Sequence, residues 1–249
     1  MDSGLLMLTA ILAASSNDNQ CYNISYMKKN LIKYSLVFSI AFLFPQLIQA
    51  QGTVYLSNLA QASTGGVTVG SNSWFAAEFR TGTNTGGYLL NSVQLGMTDA
   101  SGSPNGFTVL IYSAISIATT LPGSSLGTLN GSLSPATAGV FTYTPVANLT
   151  LSRQTDYFIV LTAATAIANG AYGLSLSGID SYNPSGNWRV IQGLFSGVYG
   201  SSNGSAWNSL AGTYPQFAID ATAIPEPGVL SLFALGSLGL LWRLKAKIA

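Results

Sequence analysis

Trp74-Phe75-Ala76-Ala77-Glu78-Phe79-Arg80 is the stretch that decides the fold class. Phe75, Ala77 and Phe79 recur every second residue and share one face, while Glu78 and Arg80 share the other. That period predicts a strand with one apolar face and one wet face. Working outward, Tyr157-Phe158-Ile159-Val160-Leu161 is apolar at every position, which predicts a central strand within 155–162. Leu174 and Leu176 alternate with Ser175 and Ser177 inside 172–179, predicting another sheet segment with a wet face. Further strands are expected at 88–97, 107–112, 140–144, 188–192 and 216–221. β-branched and aromatic residues fill these runs. Gly, Asn, Ser and Pro fill the gaps, with Asn105-Gly106 as a strong turn dipeptide. No window sustains a helical period. Many short strands at this spacing predict an all-β fold, an antiparallel β-sandwich of jelly-roll type, over residues 51–223.

Charge supports a folded middle and excludes several chemistries. The 249 residues hold nine Lys+Arg, eight Asp+Glu, no His and one Cys. A formal net charge of +1 gives no electrostatic reason to expect a nucleic-acid partner. Without His, the Ser/His/Asp route is closed, and a Ser-Lys variant lacks a lysine between Gln51 and Ala223. Cys21 cannot form an internal disulfide. The middle carries Arg80, Arg153 and Arg189 against Glu78, Asp99, Asp156, Asp180 and Asp220. It is also rich in aromatics, unlike a disordered chain.

The two ends read as addresses. Met27-Lys28-Lys29-Asn30-Leu31-Ile32-Lys33 is basic, 36–44 is almost wholly apolar, and Pro45-Gln46-Leu47-Ile48-Gln49-Ala50 follows. These are the parts of a signal peptide over 27–50, with cleavage between Ala50 and Gln51. The alternative is a buried helix or an uncleaved anchor. Residues 1–26 then read as an extension ahead of the true start at Met27, so the product lacks Cys21. The competing reading is a long basic region or a second apolar helix through Leu5–Ala14. At the other end, Pro225-Glu226-Pro227 precedes an apolar run from Val229 to Trp242, followed by Arg243, Lys245 and Lys247. About 15 residues at ~1.5 Å each fall short of a ~30 Å hydrocarbon core, which predicts a marginal helical anchor with its basic end in the cytoplasm. The expected architecture is therefore a β domain flanked by a signal-peptide helix and a transmembrane or sorting helix over 224–249.

This tripartite tail resembles the PEP-CTERM sorting signal. The resemblance implies recognition by an exosortase-type enzyme in the inner membrane of a Gram-negative bacterium, processing near Pro225-Glu226-Pro227, transient anchoring, and passage to the cell surface. The alternative is an ordinary membrane anchor. Gly87-Tyr88-Leu89-Leu90-Asn91-Ser92-Val93, Gly106-Phe107-Thr108-Val109, Thr155-Asp156-Tyr157-Phe158-Ile159-Val160-Leu161 and Tyr214-Pro215-Gln216-Phe217-Ala218-Ile219 resemble the choice-of-anchor extracellular β domains of type R. That second resemblance implies a secreted module and assigns no catalytic residue.

The sequence therefore leads to a non-enzymatic exported surface or matrix protein, with no cofactor and no metal site, in an exopolysaccharide context. The second hypothesis is a carbohydrate-binding module that uses Trp188, Trp207, Tyr182 and Tyr199 as exposed aromatics among Asn183, Asn187, Asn203 and Asn208. Against it, aromatics of this size are mostly core in β folds. A third is a weak glycosidase built on a pair of carboxylates. Asp156 is expected at a turn or edge, and Asp220 is expected to face solvent. Calcium at Asp180-Ser181-Tyr182-Asn183 or near Asp99 is a further alternative.

Overall fold

In the computed structural model, residues 52–116, 120–190, 197–225 and 236–237 are described. The chain forms β1 (Thr53–Ser57), β2 (Ser63–Val69), β3 (Trp74–Arg80), β4 (Tyr88–Gly102) and β5 (Thr108–Ser116). There follow β6 (Thr120–Asn130), β7 (Gly139–Pro145), β8 (Thr150–Leu151) and β9 (Asp156–Thr162). A 3-10 turn at Ile167–Asn169 leads into β10 (Gly170–Ser177), and β11 (Val198–Ser201), β12 (Asn208–Ser209) and β13 (Phe217–Ala223) complete the fold. The signal-peptide segment 27–50 and the apolar run 229–242 lie outside the described residues, apart from Gly236 and Ser237. Among the described residues no helix is long and apolar enough to cross a membrane.

All the strands join one antiparallel sheet, in the order β1-β13-β4-β7-β6-β5-β9-β3-β11-β12. β10 also pairs with β4, β2 with β10, and β8 with β4. The antiparallel all-β expectation holds, but the two-sheet jelly roll does not. What would be two sheets is one open, curled sheet, made continuous where β6 meets β7 at Leu129–Pro145 and Asn130–Thr144. The curl has local causes. β4 is 15 residues long and serves β13 with its first part and β10 with its last. Register shifts between β4 and β13, β4 and β10, and β5 and β6 add the extra twist of bulged strands.

The concave side holds the core. Phe75, Phe79, Val109, Ile111 and Leu161 from one half of the sheet meet Val93, Leu95, Leu174 and Phe217 from the other, all buried. Each such side chain contributes roughly 1.5–3 kcal/mol of hydrophobic stabilisation. The placement of β9 between β5 and β3 explains why Tyr157–Leu161 is apolar on both faces: a second cluster of Ala76, Phe158, Val160 and Tyr199 covers its outer side.

Expectations about two wet faces and one strand are corrected. Glu78 is only 1% exposed, because the outer face of β3 is also covered. Ser175 and Ser177 are buried too. Ser175 Oγ bonds to Gln216 Oε1 at 2.5 Å and to Ser63 Oγ at 2.7 Å, and Ser177 Oγ donates to the Ile179 carbonyl at 2.8 Å. Gln216 in turn donates to the Gln61 carbonyl at 2.7 Å. The small hydroxyls sit inside a polar layer, where every bond replaces one lost to water. Finally, 188–192 is no strand: Arg189 makes one isolated bridge with Arg80, and 191–192 lie outside the described residues.

Candidate functional site

The candidate site is the pole of the sheet where β13 ends. Ala223 pairs with Tyr88 at the start of β4. Ile224 continues this bonding by donating its N–H to the Gly87 carbonyl at 3.0 Å. Its own carbonyl accepts from Asn84 Nδ2 at 2.9 Å, and the same amide donates to Gly87 O at 2.6 Å. Asn84 thus ties the turn before β4 to the segment before the sorting motif. The two glycines in that turn have a steric reason. A Cβ at Gly86 would collide with the Ile224 carbonyl oxygen, and Gly87 has φ 75°, in the region that favours glycine.

Pro225 follows at once, exposed, and is the one sorting residue placed by the structure. Glu226, Pro227, Arg243, Lys245 and Lys247 lie outside the described residues, as do Ala50 and Gln51 of the expected cleavage site. The residue next to Gln51 is described: Gly52 packs so closely on the Asp220 carboxylate and the Asn91 amide that a Cβ would clash with both. Asn91 Nδ2 donates to Asp220 Oδ1 at 2.6 Å, so Asp220 is half-buried where full solvation was expected. Because Thr53 pairs with Ala221, both ends of the β domain emerge at this pole.

Two of the acidic residues, Glu78 and Asp156, come together beside Arg80. Arg80 Nη1 bonds to Asp156 Oδ2 at 3.5 Å across β3 and β9. Asp156 is the first residue of β9, a strand paired on both sides, so it stands at a strand end and not at a sheet edge. Glu78 lies on the same face, two residues along β3. Burial pushes its carboxyl up to about 8, the Asp156 charge adds to the rise, and Arg80 and the Thr120 hydroxyl oppose it. At neutral pH Glu78 is therefore mostly protonated. Glu78 Oε1 and Asp156 Oδ1 are buried without a hydrogen-bond partner. The arrangement sets a raised acid beside a second carboxylate, with Glu78 buried and the Asp156 side chain partly exposed.

The aromatics predicted to face solvent divide. Trp188 is 1% exposed, stacked on Tyr55 at 4.8 Å and on Phe79 at 5.9 Å, with Tyr88 edge-on at 4.9 Å. Tyr199 is buried against Phe158, centroid to centroid 5.8 Å. The exposed-aromatic expectation is wrong for both: Trp188 follows the Gly186–Asn187 turn into the aromatic cluster, and Tyr199 lies within β11 with its ring in the second apolar cluster. Tyr182 is half-buried over Phe217 and donates to the Pro215 carbonyl at 2.8 Å; burial raises its phenol well above the usual range. Trp207 is half-exposed on the outer face of the sheet, where it shares the second cluster with Trp74. Asp99, one of the calcium candidates, caps a turn by accepting the Ala138 N–H at 2.8 Å. Among the described residues no three His, Cys, Asp or Glu group as metal ligands do.

The roles of Asn84, Gly86 and Gly87 in holding Ile224 are not visible in the sequence. Thr81-Gly82-Thr83-Asn84-Thr85-Gly86-Gly87 reads as an ordinary loop, and the partner of Asn84 lies 140 residues away. Residues 223–246 match the PEP-CTERM protein-sorting motif. The motif implies export, processing by an exosortase, and passage through the membrane toward the cell surface in Gram-negative bacteria. No curated protein sequence matches the chain.

Proposed function

We propose that the chain is a non-enzymatic surface or matrix protein, delivered by the 27–50 signal peptide and cut near Pro225-Glu226-Pro227, in an exopolysaccharide context. The observation that carries this reading is the junction itself. The sorting motif begins at residue 223, where β13 ends, and its Pro-Glu-Pro begins one residue after Ile224 is fixed to Gly87. The proline-bounded segment therefore leaves the fold from a fixed point, Ile224, next to the motif the processing enzyme would read. The type R choice-of-anchor likeness is part of this proposal. Its test is Glu226→Ala in a cell that has the sorting enzyme. The expected result is normal export with unprocessed, membrane-retained protein accumulating. Unchanged processing would refute the assignment of the motif as the recognition element.

A second reading, carbohydrate binding, keeps one specific support. Trp74 and Trp207 present half-exposed indoles on the outer face, next to the polar Asn203–Asn208 turn. A glycan array probed with wild type and Trp207→Ala tests it: glycan retention lost in the variant supports it, and no retention by wild type removes it.

A further inference from the structure

The edges of the sheet are not treated alike. β1 is covered by the chain itself: Asn183 N–H donates to the Ser57 carbonyl and Ser185 N–H to the Tyr55 carbonyl, both at 2.8 Å. β12 is two residues long, β6 is interrupted by Pro122, and β7 meets β6 at Pro145. Such devices keep strand edges from pairing with other chains. β2 has only a bulge at Thr64, where Leu176 faces Gly65 while Ser177 faces Ser63. Beyond the bulge, Gly65-Gly66-Val67-Thr68-Val69 carries no charge and no proline, and it pairs with β10 on one side only.

Backbone alternation fixes which groups of β2 are free. Gln216 N–H donates to the Ser175 carbonyl and Ser177 N–H to the Tyr214 carbonyl, both at 2.8 Å, so Ser175 and Ser177 turn their backbone groups away from β2. Leu174 and Leu176 then point theirs at β2, in keeping with the Thr64 hydroxyl bond to the Leu176 carbonyl. Their partners Val67 and Gly65 bond inward. Gly66 and Thr68 therefore present N–H and C=O to the outside, and both residues are exposed. Of these four groups only the Thr68 carbonyl has a partner among the described residues, the Ser73 hydroxyl at 3.0 Å. A carbonyl oxygen accepts a second bond readily.

A second copy of β2 satisfies these groups from the same segment. In an antiparallel pair centred on Val67, Gly66 lies opposite the second copy's Thr68, and Thr68 opposite its Gly66. Each such pair exchanges both of its N–H to C=O bonds. Val67, partly buried against the core, meets its own counterpart at the two-fold axis, in the closely spaced kind of pair. Glycine opposite threonine leaves room for the side chain. The ends match as well. Exposed Ile167 stands by Gly70, where an added Cβ would strike its Cγ2, and exposed Ile179 is tied through Ser177 to the Ser63 end. Antiparallel pairing sets Ile167 of one copy at the end where the other carries Ile179. Asp180 follows Ile179, so the two copies hold that charge at opposite ends of the pair.

We propose that β2 is a self-association edge: two copies of the chain pair antiparallel through residues 65–69 and extend the sheet across a two-fold axis. A second copy is the occupant because one uncharged segment supplies both sides of the match, and an isologous contact closes at a pair. Five residues a side make a contact below the ~1,200 Å² of a standard interface. The pair is therefore weak in dilute solution and fills when copies are concentrated on one surface. It goes beyond the sorting reading and stands without it.

The test follows amide hydrogen exchange of the full wild-type chain in detergent micelles as its concentration is raised. The Gly66 and Thr68 amides should slow by about tenfold, while those of Val67 and Val69, already directed at β10, stay unchanged. In a Cys21→Ser background, Val67→Cys should form a disulfide-linked dimer about tenfold faster than Leu126→Cys, an exposed site on β6. Adding Thr68→Pro, which removes an outward donor from an edge strand, should abolish that difference. Exchange at Gly66 and Thr68 that ignores concentration overturns the proposal, and so does cross-linking at 67 that survives Thr68→Pro or only equals that at 126. Dimers held by the apolar tail alone leave both amides exchanging freely and count against the edge. If the amides slow only when cell extract is added, the edge serves another protein and the second-copy assignment is wrong. The exchange measurement needs no variant, so it decides the outcome even where a substitution unfolds the chain.

Discussion

The two faces of β3 are built for different purposes. Phe75, Ala77 and Phe79 point into a core shared by both halves of the curled sheet. On the other face, Ala76 joins a smaller apolar cluster, but Glu78 and Arg80 bring ionisable groups toward the pole where the chain leaves the fold. One face fixes the shape. The other leads from an aromatic end, with Trp74 and Trp207, to a charged end beside the sorting tail. Alternation reveals which residues share a face, while burial of that face depends on what later folds over it.

The inner face should show the largest effect of substitution. Phe79→Ala removes a ring packed on Trp188 and Tyr157, and should cost roughly 3–5 kcal/mol in denaturant unfolding of residues 51–225. A loss below about 1 kcal/mol would mean that the core is not where the sheet curls around it.

The outer face should show itself through pH. The unfolded value of a glutamate is about 4.3, and the folded value of Glu78 is about 8. The folded state thus binds the proton more tightly, so this contribution is complete below about pH 4.3, falls between there and pH 8, and is flat above. The full span is of order a few kcal/mol at ~1.4 kcal/mol per pKa unit. Glu78→Gln should flatten the slope and be more stable than wild type at pH 9. An unchanged pH profile in the variant would show that Glu78 does not titrate in this range.

Smaller effects test the polar layer and the clamp that Asn84 forms between Gly87 and Ile224. Ser175→Ala leaves Gln216 Oε1 without its buried donor and should cost about 1–2 kcal/mol, measured by thermal unfolding. Asn84→Ala breaks two bonds at the pole and should cost about 1 kcal/mol, while raising amide exchange at Ile224. The smallest change is Arg153→Gln, expected within ±0.5 kcal/mol of wild type, because the side chain is exposed. A larger loss there would make the arginine structural.

Much of this was legible in the sequence, for identifiable reasons. Strands with β-branched and aromatic runs, such as β4, β5, β9 and β13, announce themselves by composition. β2 did not: Ser-Thr-Gly-Gly-Val-Thr-Val lacks a full apolar face, and its strand exists because β10 supplies the partner. β6 was hidden by Pro122 and Gly123, which the irregular β5–β6 register accommodates. Ser175 looked wet because nothing local says that Gln216 and Ser63 will cover it. Trp188 looked exposed for the same reason, its partners Tyr55, Phe79 and Tyr88 being far away in sequence. The tail was legible because its signal is local: Pro-Glu-Pro, an apolar run and a basic end need no folding to be read. The clamp that meets it was not, since it depends on a contact made only once β13 lies beside β4.

In this reading the last strand of the β domain ends where a removable sorting tail begins. Mass spectrometry of the C-terminus of the wild-type surface protein, from cells that have the sorting enzyme, tests this most directly. The expected result is a terminal residue within Pro225–Pro227, with the peptides of 229–249 missing from the surface form. Intact Ala249 on that surface protein would contradict it.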